Sequence, residues 1–269
     1  MNMFFLNWKM TRGVFKSFLF GIGLIAIIGI YNAYTCTIFE SKNLESLLLM
    51  SFGHLRLDME IFPVLFWIAP QLYLIWILRD CISSELNANA VYIFTRTGKR
   101  TKWLLSKLLF LLILNLLYWL IQLAVLYVIG SIAGFGFYNI QEGIQLIFRQ
   151  YTLMVLLSYF YILIVSTLSL KSNVIIGFFV AVFINIFSIF ISFFVYKYSE
   201  KGPILIRSLP SSQAILTWHD SISGFPNKLG LFDFKLSGFS VMYSIIYLII
   251  FCLVFIIYGC YTIEHMDIV

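Results

Sequence analysis

Residues 172–196 read SNVIIGFFVAVFINIFSIFISFFVY and contain no charged side chain. A helix needs about 20 mainly apolar residues to cross the hydrocarbon core of a bilayer. Backbone amides in lipid must be hydrogen-bonded within the segment, so a run of this kind predicts a helix. Five more charge-free runs reach 18 residues, and they are 17–39, 61–78, 108–141, 150–170 and 236–263. The sequence therefore predicts six transmembrane helices.

The composition agrees with a membrane location. Apolar residues make up 61% of the 269 residues, charged residues only 11%, and the mean hydropathy is +0.96. Soluble domains contain about 25% charged residues, so a soluble globular fold is excluded. The predicted fold is an all-α polytopic membrane protein in a single domain. Its spans are expected at about 17–39, 61–78, 103–129, 150–170, 173–196 and 239–262.

Positive charge in the loops predicts the orientation. The N-terminal tail has three cations and no acid, the 40–60 loop has two cations against four acids, and the 79–107 loop has six cations. Short loops rich in Lys and Arg stay in the cytoplasm, so both termini and the 79–107 loop are predicted inside. The 197–239 loop, predicted outside, also has five cations, but it is long and comes late in the chain.

The first 16 residues predict a helix that lies in the membrane surface. Lys9, Arg12 and Lys16 share one helical face, while Trp8 and Phe15 supply aromatic anchors. Helices with these two faces lie among the lipid headgroups. A frayed tail is the alternative.

The 79–107 loop contains two different parts. Residues 79–91 have apolar side chains near one side and predict a short amphipathic helix that extends the second span, followed by a basic turn. Long cationic side chains at the end of a span reach back to the headgroups. The predicted membrane-surface anchors are Arg96, Lys99, Arg100, Lys102 and Lys107.

The strongest polar groups in or near the predicted spans are amides. The main examples are Gln71, Asn115, Gln122 and Asn185. Such groups either hydrogen-bond between helices or line a path for an amphipathic substrate. Proteins that move ions through their spans usually place ionisable residues there, and the six charge-free runs have no Asp, Glu, Lys, Arg or His.

Catalytic signatures are missing from the sequence. It contains no H-E-x-x-H, no G-x-S-x-G and no G-x-x-x-x-G-K-[ST]. The three histidines are far apart, so no metal site is expected, and the four cysteines do not form a disulfide pattern. We therefore predict that the chain is not an enzyme on its own and has no cofactor.

The 79–107 loop combines Glu85, the apolar 92–94, the basic turn 95–100 and a lysine, Lys107, in the next helix. In this combination it resembles a region of the membrane subunits of type-2 ABC transporters. The whole-chain layout is also similar, with an interfacial N-terminal helix, six spans and a long outer segment between spans five and six. The turn has Thr and Gly at 97–98, where that family often has Pro.

The resemblance implies a role for several residues. Helix 79–91 would be a cytoplasmic coupling helix that contacts an ATPase through Asp80, Ile82, Ser84, Glu85, Leu86 and Asn89, with Glu85 as the partner-facing charge. The outer 203–223 segment would be an external gate that includes Pro210, Trp218 and His219.

The resemblance also implies the partners and the activity. Two copies of a separate ABC ATPase would bind ATP and Mg, and a second permease copy or a related permease would complete the path. The chain would then export an amphipathic or hydrophobic compound, such as an antimicrobial or bacteriocin-like peptide, across a bacterial plasma membrane. No nucleic-acid partner is expected. The alternatives are a channel or secondary carrier without an ATPase, and a membrane anchor or sensor subunit that transports nothing.

Overall fold

The computed structural model describes residues 12–55, 61–86, 100–199, 202–220 and 235–266. These residues form helices and turns and contain no β-strand. Most of the predicted interfacial helix, residues 1–11, lies outside the described part, as do Asn89, Arg96 and Lys99. Residues 12–16 of that prediction begin the first long helix.

In the described part of the chain, six helices are long and apolar enough to span a membrane. This confirms the predicted number of spans and identifies a multi-pass membrane architecture. The six are α1 (Arg12–Ile38), α3 (Ile61–Leu78), α4 (Arg100–Ile132), α5 (Ile140–Leu168), α6 (Val174–Tyr198) and α8 (Val241–Glu264). Two shorter helices, α2 (Leu44–Leu48) and α7 (Gly202–Ser208), lie in the connections.

Consecutive long helices run in opposite directions, so the bundle has two ends. We call the end with Arg79, Arg100, Lys107 and Lys171 the basic end, and the opposite end the insert end. At the basic end, α5 and α6 are joined by a tight turn in which the Asn173 side chain accepts a hydrogen bond from Ile175 N at 3.1 Å. An Asn at this position caps the first turn of the helix that follows.

Helix α5 is the central helix of the bundle. Within the most apolar window of each helix, 78% of the α5 residues are buried, against 28% in α6 and 22% in α8. Helices α6 and α8 therefore present most of their surface to the surroundings, as expected for helices that face lipid. Gly177 lets α6 approach α5 closely, because a Cβ atom there would lie 3.0 Å from the Val165 carbonyl oxygen.

Two helices begin or end at other residues than the charge pattern predicts. Helix α5 begins at Ile140, whereas its charge-free run begins at 150. Its N-cap, Asn139, accepts a hydrogen bond from Gln141 N at 3.1 Å, which starts the helix before Glu142 and Arg149. Helix α4 begins at Arg100 and ends at Ile132, so it is longer at both ends than the expected 103–129. A helix can continue past the hydrocarbon core, so the first charged residue next to an apolar run does not mark where the helix ends.

Two connections at the insert end fold back against the long helices. The first contains α2 and a π-helical turn at Leu49–Gly53, where the Trp67 indole donates to the Phe52 carbonyl at 2.6 Å. The second, residues 202–220, we call the insert. It consists of α7 and two 3-10 turns, Ser211–Ala214 and Leu216–Trp218.

Candidate functional site

The part of the insert that follows α7 is buried in the insert end of the bundle. All nine residues from Ser211 to His219 are buried, although the sequence places them in a long polar connection. Of the predicted gate residues, Trp218 and His219 are fully buried and Pro210 is partly buried. Polar groups in such a place need hydrogen-bond partners inside the protein. The partners come from three of the long helices and from the α2 connection.

One set of partners joins the insert to α3, α5 and α6. The Tyr161 hydroxyl lies 2.8 Å from Ser211 Oγ, and Ser211 Oγ lies 3.0 Å from Asn185 Oδ1. The amide oxygen of Asn185 can only accept, so Ser211 donates to Asn185 and Tyr161 donates to Ser211. The Asn185 amide nitrogen then donates to Gln71 Oε1 at 3.2 Å. A continuous hydrogen-bonded chain therefore connects α3 to the insert.

A second set of partners surrounds His219. Its Nδ1 atom faces the carbonyl oxygens of Ile215 and Leu216 at 3.1 and 3.3 Å, and its Nε2 atom lies 2.7 Å from Ser244 Oγ. Ser244 on α8 also directs its hydroxyl toward Gln213 Oε1 at 2.8 Å. Because the serine has one hydrogen, a neutral imidazole that donates from Nδ1 competes with Gln213 for it.

Burial decides the charge of His219. The ring is fully buried and stacks on Phe239 with ring centroids 4.1 Å apart. Burial lowers the pKa of His219 from its ordinary 6.5 to about 4, outweighing the two backbone carbonyls and Asp220, which raise it. The imidazole is therefore neutral at neutral pH, and the insert packs around an uncharged ring.

The two folded-back connections are also joined to each other. The Gln150 side-chain amide on α5 donates to the Phe52 carbonyl at 2.9 Å and to the Ala214 carbonyl at 3.3 Å. The Trp218 indole donates to the Leu55 carbonyl at 2.9 Å. The insert and the α2 connection therefore form one cap on the insert end, with Gln150 at its centre.

The four amides predicted to line a path are all fully buried. Gln71 and Asn185 belong to the chain that reaches the insert. Asn115 on α4 bonds α5 through the Val155 carbonyl at 2.8 Å. Gln122 differs, because neither of its amide atoms has a hydrogen-bond partner among the described residues. Three of the four thus make hydrogen bonds between elements, which is the other role that the sequence left open.

The basic end contains a buried ion pair between the 79–86 turn and α4. The Glu85 carboxylate is paired with the Lys107 ammonium, and the Trp103 indole lies 3.4 Å from Glu85 Oε1. Only 9% of the Glu85 side chain and 8% of the Lys107 side chain are exposed. Glu85 therefore faces Lys107 inside the fold rather than a partner, and Lys107 faces Glu85 rather than the membrane surface. This corrects the positions that the sequence gave to both residues.

The other described coupling residues include both buried and solvent-exposed side chains. Ile82 and Leu86 are buried, whereas Asp80 and Ser84 are exposed. The Asp80 carboxylate accepts from Arg79 Nε at 3.1 Å, and the Arg79 guanidinium stacks 3.3 Å above the Trp76 ring. Asp80 and Ser84 are therefore the residues of this turn that a partner could contact.

Two of the remaining predicted anchors, Lys102 and Arg100, lie in the described part of the chain, and their surroundings differ. Lys102 is exposed at the basic end. The Arg100 guanidinium donates to the Met266 carbonyl at 2.6 Å, which ties the start of α4 to the chain just after α8. Arg100 therefore has an internal role that the charge pattern alone does not indicate.

Several residues of the cap were not predicted from the sequence. Tyr161, Gln150 and Ser244 lie outside the predicted gate segment, and Ser211 and Gln213 lie within 203–223 but were not singled out. The one available signal is the polar triplet at 211–213, which is unusual between the apolar stretches around it. No three His, Cys, Asp or Glu side chains come together as a metal site among the described residues.

Comparison with curated proteins and with solved structures found no match to the chain. A family model described as a protein of unknown function matches residues 24–269, which is most of the chain. The chain belongs to this family, DUF2705.

Proposed function

We propose that this chain is the transmembrane subunit of an ATP-driven exporter of the type-2 ABC kind. Two copies of a separate ATPase would bind ATP and Mg at the basic end, which faces the cytoplasm of a bacterium. A second copy of the chain, or a related permease, would complete the path. The insert would be the external gate, and both termini would be cytoplasmic.

The observation that carries the proposal is that α3 has contacts at both ends of the bundle. At the basic end it continues into the 79–86 turn, where Asp80 and Ser84 are exposed for a partner. Two turns earlier, Gln71 joins the hydrogen-bonded chain through Asn185 to Ser211 of the insert. A shift of α3 at the cytoplasmic surface would therefore strain the contacts that hold the gate closed.

The ion pair of Glu85 supports this role for the turn. The 79–86 turn can transmit movement only if it is rigidly attached to the bundle. Lys107 fixes the turn to α4 through an ion pair that is nearly buried. Movement of the turn would then carry α3 and α4 together. The burial of Ile82 and Leu86 against the bundle adds apolar contacts to the same attachment.

The cap at the insert end supports the role of a gate. Its polar contacts are hydrogen bonds between neutral side chains and two indole–carbonyl contacts, and they lie beside buried apolar side chains such as Ile206 and Leu216. Interhelical hydrogen bonds of this kind in membranes are worth about 0.6 kcal/mol each on average and at most about 1.7. Several such bonds can be exchanged for others at modest cost, which suits an element that opens and closes.

The expected substrate is an amphipathic or hydrophobic compound, and an antimicrobial or bacteriocin-like peptide is one example. The polar side chains buried among the spans support this expectation. They are uncharged amides and hydroxyls, except for the Glu85–Lys107 pair at the basic end. A substrate that carried several unscreened charges would meet no counter-charge in these helices.

The experiment is purification of the tagged full chain from its own host under mild detergent. The proposal predicts that a P-loop ATPase is retained at one copy per permease chain and that only the complex hydrolyses ATP. A variant with Asp80→Lys and Ser84→Lys should lose the ATPase, whereas Lys102→Gln should keep it. Recovery of the chain without any ATPase, together with ion or solute flux from the lone chain in vesicles, would establish a channel or carrier instead. Recovery without an ATPase and without flux would leave the anchor or sensor role.

A further inference from the structure

Two hollows adjoin each other at the insert end, on the side formed by α2, α4 and α5. The first is an apolar cleft of about 350 Å³. Residues that line it include Leu44, Leu47, Leu123, Ala124, Tyr127 and Phe137. The second is a polar pocket of about 340 Å³ lined by Glu40, Ser41, Lys42, Asn43, Gly136, Phe137 and Tyr138. Phe137 borders both, so the two hollows form one site with an apolar part and a polar part. Small-molecule sites have volumes of roughly 300–1,000 Å³, and each part reaches that range.

The wall between the two parts is firmly built. Leu44 N donates to the Gly136 carbonyl at 3.0 Å, which joins the start of α2 to the connection after α4. The buried carboxylate of Glu45 accepts from Tyr138 N at 3.0 Å and from Asn139 N at 3.3 Å. Glu45 is thus buried and engaged by backbone amides, so Glu40 and Lys42 are the charged side chains that line the pocket itself.

Position along α4 places the two parts at different membrane depths. The helix has 33 residues, about 50 Å at 1.5 Å per residue, and the hydrocarbon core is about 30 Å thick. If the core begins just after Lys107, about 20 residues bring it to Tyr127, a residue type common at the membrane interface. Leu123 and Ala124 then lie among acyl chains. Gly136 and Tyr138, which come after the helix, lie at the level of the headgroups.

The charges of the polar part are balanced. Glu40 and Lys42 are both exposed, and neither forms an ion pair with another residue in the described ranges. Glu40 has φ 53°, a left-handed conformation that costs a non-glycine residue roughly 1–2 kcal/mol. This conformation ends α1, because it lets Ser41 N donate to the Cys36 carbonyl at 2.9 Å across the last turn of the helix.

We propose that this site binds one zwitterionic phospholipid. One acyl chain occupies the apolar cleft, Lys42 contacts the phosphate, and Glu40 contacts the ammonium group of the headgroup. One anion beside one cation complements a headgroup that carries both charges, whereas it repels part of an anionic headgroup. The inference is independent of the proposed transport function, because it rests on the site alone.

Native mass spectrometry of the full chain, released from detergent micelles that contain one added lipid, tests the proposal. The probes are dioleoyl phosphatidylethanolamine, which is zwitterionic, and dioleoyl phosphatidylglycerol, which is anionic. The chain should retain one phosphatidylethanolamine molecule at a concentration at least tenfold lower than it needs for phosphatidylglycerol. Equal retention of the two lipids would overturn the assignment of the headgroup pocket.

A bulky residue tests the cleft. Ala124 is exposed on the cleft wall, so Ala124→Trp should fill the space without disturbing the packed core and should abolish retention of the lipid. The matched control is Val254→Trp on the exposed face of α8, where the side chain is 55% exposed, and it should retain the lipid as the unaltered chain does. Undiminished retention by Ala124→Trp would overturn the proposal. So would a loss of self-association in Ala124→Trp with unchanged lipid binding, which would identify the cleft as an interface between copies.

Two exposed residues test the headgroup contacts without risk to the fold. Lys42→Gln should weaken retention of phosphatidylethanolamine about tenfold, because the phosphate loses its cation. Glu40→Gln should reverse the preference toward phosphatidylglycerol, because Lys42 then stands alone beside the phosphate. If neither substitution changes the preference between the two lipids, the pocket does not distinguish their headgroups, and the proposal fails.

Discussion

The Glu85 carboxylate and the Lys107 ammonium form an ion pair across the junction between the 79–86 turn and α4, and both side chains are nearly buried. Breaking a buried pair by removing one partner leaves an uncompensated charge and costs about 3–5 kcal/mol. Replacing both partners with neutral groups costs much less. The free energy of unfolding should therefore fall much more in a single variant of the pair than in the double variant.

Lys107→Met should lower the free energy of unfolding in detergent by about 3–5 kcal/mol, because Glu85 remains buried without a partner. The double variant Glu85→Gln, Lys107→Met should be more stable than this single variant. Unfolding can be followed by the fluorescence of the tryptophans, which include Trp103 beside the pair. Lys102→Met, at an exposed position of the same helix, is the control and should change stability by less than about 0.5 kcal/mol. Strictly additive effects of the two pair substitutions would show that no coupling exists.

Gln71→Leu should weaken the attachment of the insert, because the Asn185 amide loses its acceptor on α3. Interhelical hydrogen bonds in membranes have measured couplings of about 0.6 kcal/mol, with a maximum near 1.7. A double-mutant cycle with Asn185→Leu, measured by unfolding in detergent, should give a coupling in that range. A coupling of zero would mean that α3 and α6 are not joined through these amides.

Gln122→Met should have the opposite effect. Both amide atoms of Gln122 are buried without a hydrogen-bond partner in the described part of the chain, and an unsatisfied buried polar group costs about 1–3 kcal/mol. Methionine has a similar length and no such cost, so the variant should be more stable than the unaltered chain. A less stable variant would contradict the prediction, because it would show that the Gln122 amide makes a stabilising polar contact.

The stability of the insert should fall as the pH is lowered. The pKa of His219 is about 4 in the folded chain and about 6.5 when the ring is exposed, so the unfolded state takes up a proton first. Stability from this residue is complete above pH 6.5 and is lost as the pH falls from 6.5 toward 4. Linkage gives a loss of about 2 kcal/mol between pH 7.5 and pH 5.

His219→Gln removes the titrating ring and is the comparison for that measurement. The difference in unfolding free energy between the two chains should shrink by about 2 kcal/mol from pH 7.5 to pH 5. Carboxylates that titrate in the same range contribute equally to both chains. A difference that does not depend on pH would show that the ring is not buried in a neutral form.

The membrane helices follow from the sequence, but the contacts that give the site its properties do not. The run at 172–196 predicts α6 because hydrocarbon allows few alternatives to a helix. The surroundings of Glu85 depend on Lys107, 22 positions away, and only the packing of the turn against α4 brings them together. A basic stretch looks the same in sequence whether a given lysine reaches the headgroups or an internal acid.

The insert shows the same limit more strongly. Residues 211–213 are polar and sit in a long connection, which favours an exposed loop. Their burial depends on partners supplied by Asn185, Tyr161 and Ser244, which lie on three different helices. No periodicity within the loop encodes such partners. The boundary between loop and core was therefore the least predictable part of the site.

Hydrogen exchange in the complex with the proposed ATPase tests most directly whether α3 links the basic end to the insert. The amides of residues 211–219 would be compared with and without ATP and Mg, in the unaltered chain and in Gln71→Leu. We predict that nucleotide changes exchange in the insert several-fold in the unaltered chain and that Gln71→Leu loses this response while keeping the ATPase bound. An insert whose exchange is identical with and without nucleotide, in a complex that hydrolyses ATP, would contradict the account.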